Sequence, residues 1–163
     1  MPCCEVKPTI PSRCGQSAAF DRASDMSETT GHRVLVIDDD PVLVDLIKLI
    51  LTRSRNDQGI AAYGGQEGLV KAEQDPPDLI ILDLMMPGLN GYEVYERLKA
   101  IPALQHIPVL FLSDGPRSVF YPRVQHLGAA GCLCEPYGPQ DLIAARDAAL
   151  KGETYYPPLP EKP

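Results

Sequence analysis

Residues 78–88, DLIILDLMMPG, constrain the fold more than any other stretch: an apolar run hemmed in by Pro76-Pro77 and Pro87-Gly88 closes on a carboxylate and a turn. An unbroken apolar run too short for a helix describes a strand covered on both faces, the condition of a strand inside a parallel sheet. Asp83 stands at its carboxyl end, the edge where open α/β sheets place ligands and chemistry. Residues 34–37 have the same form and run into Asp38-Asp39-Asp40-Pro41. Side by side, two such strands bring Asp38, Asp39 and Asp83 to one edge, where their charges repel unless a proton or a cation is shared among them. An all-oxygen set suits Mg²⁺, which keeps several waters and takes one or two protein carboxylates. Asp40 on its own fits a helix cap ahead of Pro41, but a cap with merely solvated neighbours does not explain why Asp38 and Asp39 follow a buried strand and are answered by Asp83.

The pattern then repeats along the chain. A helix over 41–53 carries Val42, Leu43, Leu46, Ile47, Ile50 and Leu51 at helical spacing. A turn at 56–59 leads into a short strand at 60–63 and a helix at 66–74 with Leu69, Val70 and Ala72 inward. After the Asp83 strand, Asn90-Gly91 turns the chain into a helix at 92–100 with Val94, Tyr95 and Leu98 on one side. The strand at 108–112 ends on Ser113-Asp114, which adds a hydroxyl to the acids at the same edge. A fourth helix is expected within 116–127, but Pro122 removes a backbone bond inside it at a cost of about 3 kcal/mol, so it should be short, kinked or late to start. A strand at 132–134 ends on Glu135-Pro136, and a helix at 141–150 stops at Gly152. Cys132 and Cys134 share a face and read as small core fillers, because a bridge between such positions has unfavourable geometry.

Five βα repeats occupy 32–151, one domain's worth of chain in a sequence of 163 residues. Residues 1–31 lack an apolar period and read as a disordered arm, and 152–163 read as a Pro-rich tail; seven of the 17 prolines fall in these two ends, which is why the folded unit is placed between them. Tyr155 and Tyr156 should pack on the last helix or stay loose. Cys3, Cys4 and Cys14 have no further ligand at zinc spacing and are loose thiols. Five cysteines at irregular spacing fit a reducing compartment. With no secretory leader and no apolar run of about eighteen residues, the expected location is cytoplasmic with no membrane contact. A net charge of −7 lacks the basic footprint of nucleic-acid binding, so no nucleic-acid partner is expected. His32, His106 and His126 form no cluster and are assigned no role.

Asp38-Asp39, Asp83 and Ser113, each closing a strand at these separations, resemble the receiver domain of bacterial two-component response regulators across nearly all of 32–151. The resemblance implies a flavodoxin-like, doubly wound, five-stranded parallel sheet of order 2-1-3-4-5 with helices on both faces. It also implies that Asp83 is the phosphoacceptor. Asp38, Asp39 and Asp83 then hold Mg²⁺ or Mn²⁺ together with the backbone carbonyl of Met85, and Ser113 hydrogen-bonds the phosphoryl group. The partners it implies are a histidine kinase or phosphotransfer protein and a downstream signalling protein, in a stand-alone, non-enzymatic receiver. The match breaks at Glu135, which occupies the position of the family's lysine, and Asp114 adds another carboxylate where receivers are usually small. A second expectation is therefore a pseudo-receiver, an interaction module that works without phosphorylation. A hydrolase with an aspartyl nucleophile lacks a second acid two residues after Asp83, and flavin binding lacks a phosphate loop after the first strand.

Overall fold

The computed structural model describes residues 31–157. The expected arm, with Cys3, Cys4 and Cys14, and the last prolines of the tail lie outside the described residues. Five strands alternate with five helices: β1 (Arg33–Ile37), α1 (Pro41–Arg55), β2 (Gln58–Ala62), α2 (Gly65–Gln74), β3 (Leu79–Asp83), α3 (Gly91–Ala100), β4 (Val109–Ser113), α4 (Arg117–His126), β5 (Gly131–Cys134) and α5 (Pro139–Leu150). The sheet is wholly parallel, in the order β2-β1-β3-β4-β5. Alternate strand residues face opposite sides, so the core has two layers. Val34, Val36, Ile81 and Leu110 pack under α1 and α5; Leu35, Ile37, Leu82 and Phe111 pack under α2, α3 and α4. Among the described residues no helix is long and apolar enough to cross a membrane.

Local signals start and stop the helices as their residue types predict. Asp40 accepts from the Val42 N–H at 2.9 Å ahead of Pro41, and Asn90 forms a capping box with Glu93. Gly152 takes a positive φ just past α5.

Several expectations are corrected. The α1 stripe is misplaced: Val44, Ile47 and Leu51 are buried, while Val42 is 75% and Leu46 50% exposed. The apolar side of this helix is wider than the face the sheet covers, so spacing alone does not say which part is buried. Val70 of α2 is exposed for a different reason. Gly68 brings the helix against Ile37, so close that a Cβ would stand 2.4 Å from Cδ1, and this sets the inward face on Gly68, Leu69 and Ala72. β2 begins two residues earlier, and ends one earlier, than its side chains suggested, because Gln58 pairs with Arg33 at the start of a half-exposed edge strand.

α4 runs through Pro122 unbroken for ten residues. Tyr121 and Val124 anchor it to the core, while Pro122 and Ser118, whose carbonyl loses its partner, lie on the exposed side where water can serve it. The tail does more than lie on α5. The Tyr155 N–H donates to the Ala130 carbonyl at 2.9 Å, and the Cys132 N–H donates to the Tyr155 carbonyl at 3.3 Å, beside the outer edge of β5. Gly131 permits this approach, since a Cβ there would meet the Tyr155 oxygen at 2.4 Å. Tyr155 packs with the α5 layer, whereas Tyr156 crosses to the other layer, against Tyr121 with ring centroids 5.5 Å apart. Cys132 and Cys134 are free and buried, as core fillers should be.

Candidate functional site

Parallel register decides which strand ends meet. Ile37 pairs with Leu82, so Asp38 and Asp83 leave or close adjacent strands side by side; Asp83 pairs with Leu112, and Ser113 with Cys134. The Leu84 N–H donates to Leu112 and the Glu135 N–H to Ser113, carrying the pairing one step past β3 and β5. The resulting cleft, about 170 Å³, is lined by Asp38, Asp39, Asp83, Ser113, Glu135 and Tyr137, with Met85 and Asp114 at its side. Pockets for drug-sized ligands are commonly about 300–1,000 Å³, so this one suits a small anion and a cation. A larger groove between α1 and α5, about 380 Å³, carries the Arg55–Asp147 ion pair and none of these acids.

Asp38, Asp39 and Asp83 each offer a carboxylate oxygen within 4.8 Å of the others. Asp38 is only 3% exposed, and its carboxylate accepts from the Asp40 N–H at 2.8 Å. Burial first, then the charges of Asp83, Asp39 and Asp40, push its pKa from 3.8 up to about 6, against the lowering effect of the Asp40 bond. Burial also raises Asp83, helped by Asp39 and Asp114 and opposed by the Met85 N–H, which donates to its carboxylate at 3.2 Å. Two carboxylates both driven toward their neutral forms, with a third beside them, make a pocket that a divalent cation relieves. That all-oxygen set fits Mg²⁺ or Mn²⁺. The Met85 side chain is 61% exposed, which leaves its backbone as the part that can serve the cleft.

Ser113 is buried, and its hydroxyl oxygen accepts from the Gly115 N–H at 3.1 Å, which steers the group while leaving its own proton for a ligand. Glu135 and Asp114 are exposed at the rim, so their charge faces the cleft through solvent rather than through the core. The Glu135-Pro136 peptide is cis. Asp38, Asp39, Asp83, Met85, Ser113, Asp114 and Glu135, all singled out in the sequence, therefore line one cleft.

Tyr137 lines it too, and sequence reasoning missed it. The signal was its place two residues beyond Glu135, in the loop that borders the crevice. His32 was also passed over. Its ring lies 2.9 Å from the Arg146 guanidinium and its backbone N–H donates to the Asp57 carboxylate at 2.8 Å, at the opposite edge of the sheet.

The response regulator receiver domain family matches residues 34–147. The virulence factors positive transcription regulator BvgA of Bordetella pertussis is 34% identical over 130 residues, 77% of this chain and 59% of that one. The DNA-binding response regulator MtrA of Mycolicibacterium smegmatis is 32% identical over 124 residues, 76% of this chain and 53% of that one. The chain thus spans little more than half the length of these relatives, and the expectation of no nucleic-acid partner finds no support in their names. Among solved structures, a response regulator from Chloroflexus aurantiacus is 29% identical with a TM-score of 0.68, covering 74% of this chain and 98% of that one.

Proposed function

The chain belongs to the response regulator receiver domain family, and from that premise we propose that Asp83 accepts a phosphoryl group from the phosphohistidine of a histidine kinase or phosphotransfer protein. The observation that carries this reading is Asp83 at the carboxyl edge of β3 with the Asp38 and Asp39 carboxylates gathered around it. An oxygen of Asp83, its carboxylate oriented by the Met85 N–H, attacks phosphorus as the phosphorus–nitrogen bond breaks and its electron pair returns to the imidazole. Asp38, Asp39, Asp83 and the Met85 carbonyl are the oxygens that would hold Mg²⁺ or Mn²⁺, which when bound neutralises charge on the phosphoryl oxygens. Ser113 donates its hydroxyl proton to one of those oxygens. Little other chemistry is asked of the protein.

The signal then passes by contact to a downstream protein in the cytoplasm. A nucleic-acid role, as in the named relatives, would belong to an output unit and not to this acidic chain of net charge −7. Incubation with acetyl phosphate and Mg²⁺ tests the assignment by intact mass: the wild type gains one phosphoryl group and Asp83→Asn gains none. Glu135 and Asp114, lining the cleft with the same sign as a phosphoryl group, favour a second reading, a pseudo-receiver that signals without phosphorylation. Mg²⁺ binding with no mass gain from any small donor would select it.

A further inference from the structure

Among the described residues, three tyrosine hydroxyls are buried with no hydrogen-bond partner: Tyr92, Tyr121 and Tyr137. Two of them belong to the aromatic layer of the core. Tyr92 lies beside Phe111 and under the Arg123 guanidinium, and Tyr121 packs edge-on to Tyr156. Tyr137 alone lines the acidic cleft. A buried hydroxyl is ordinarily paired, because an unmade bond forfeits the water it gave up. At the wall of the acidic cleft such a hydroxyl is available to a ligand oxygen.

We propose that the Tyr137 hydroxyl is a phosphoryl-binding donor, hydrogen-bonding an oxygen of the group carried by Asp83 at a cleft where Glu135 supplies no positive charge. This rests on the reading of Asp83 as phosphoacceptor. The chemistry suits the surroundings. A phenol donates without adding charge, so it can sit among carboxylates that it does not neutralise and still favour an anion bearing acceptor oxygens. Its loop, between the end of β5 and α5, packs its ring into the α1 and α5 layer where that layer borders the cleft, within reach of the charges of Asp38 and Asp83. Burial, then the charges of Glu135, Asp38 and Asp83, push its pKa up to about 12, so the proton it would donate stays in place at neutral pH.

Beryllofluoride, a stable mimic of the phosphoryl group on a carboxylate, tests the idea in the presence of Mg²⁺, with binding followed by fluorine NMR and by titration. Tyr137→Phe should weaken beryllofluoride binding about tenfold, the scale of one hydrogen bond to a charged group. Its Mg²⁺ affinity measured without the mimic should stay within about twofold of wild type. Tyr92→Phe, which removes an orphan hydroxyl away from the cleft, should bind like wild type. Equal beryllofluoride affinity in Tyr137→Phe and wild type would overturn the inference and leave the phosphoacceptor reading standing. A parallel loss of Mg²⁺ affinity or of melting temperature in Tyr137→Phe would also overturn it, since the tyrosine would then be shaping the cleft and not binding its ligand. A wild type that neither binds beryllofluoride nor gains a phosphoryl group on Asp83 would remove both.

Discussion

Asp38 is held where its charge is unwelcome, and that has a consequence for stability. In the unfolded chain it ionises near 3.8; in the fold it does so at about 6. Between those values the folded form binds the proton more tightly, so the contribution to stability is complete below the lower pH and is lost as pH rises through the upper one. A shift of this size corresponds to something on the order of 3 kcal/mol. Mg²⁺ should therefore raise the melting temperature strongly at about pH 7.5 and scarcely at about pH 5, while Asp38→Asn should melt higher than wild type without metal at the upper pH. Equal Mg²⁺ shifts at both values in a calorimetric scan would contradict the acidic-cleft account. Glu135 bears on the phosphorylation of Asp83. Exposed at the rim, it acts through screened charge, so Glu135→Lys should raise the phosphorylated fraction of Asp83 from a small donor by about fivefold. An unchanged fraction would mean that charge at this position does not govern the chemistry.

Among the elements, α4 combines an interior proline with only two buried side chains, Tyr121 and Val124, whereas α1 has fifteen residues and no proline beyond its first turn. Local opening follows such differences in burial and bonding. Hydrogen exchange should find amides of Arg117–His126 less protected than those in the middle of Pro41–Arg55; equal protection would show that α4 is not a soft element. Beside α4, Tyr156 donates to the Ala129 carbonyl at 3.1 Å and packs edge-on against Tyr121. Tyr156→Ala removes one hydrogen bond and one aromatic pair, so it should cost about 1–2 kcal/mol and lower the melting temperature by several degrees.

Across the whole molecule the two edges of the sheet do different work. The carboxyl edge gathers the carboxylates of Asp38, Asp39 and Asp83. At the amino edge Asp57, 2% exposed, is answered by Arg146, 7% exposed, through Nε at 2.7 Å and a second guanidinium nitrogen, with Asp147 bonded to the same guanidinium at 2.8 Å. Asp147 is bonded in turn by Arg55, so α5 is tied to α1 and to the start of β2. Removing one partner strands a buried charge: Arg146→Met should destabilise the fold by about 3–5 kcal/mol, and Arg146→Met with Asp57→Leu by much less. Because this network lies at the far edge, Mg²⁺ affinity at the cleft should not change in either variant. A shared loss of metal binding would show that the edges are coupled.

Residues 78–83 and 34–39 were legible in the sequence because a strand buried on both faces writes an unbroken apolar run, and an acid that follows such a run marks its own position at the sheet edge. The order of the strands and the meeting of Asp38, Asp39, Asp83, Ser113 and Glu135 followed from that pattern and the family it resembles. Tertiary structure alone decided what depended on a neighbour. It chose the covered face of α1, a helix apolar on more sides than one sheet can cover, and it set the start of β2 by pairing with Arg33. The tail lies along β5 because Gly131 leaves room for it. The pairing of Arg146 with Asp57 spans 89 residues of chain, and that of Arg146 with His32 spans 114; no periodicity encodes such distances. The Tyr137 hydroxyl belongs with these, since only the packed loop shows that it faces the acids with its own bond unmade.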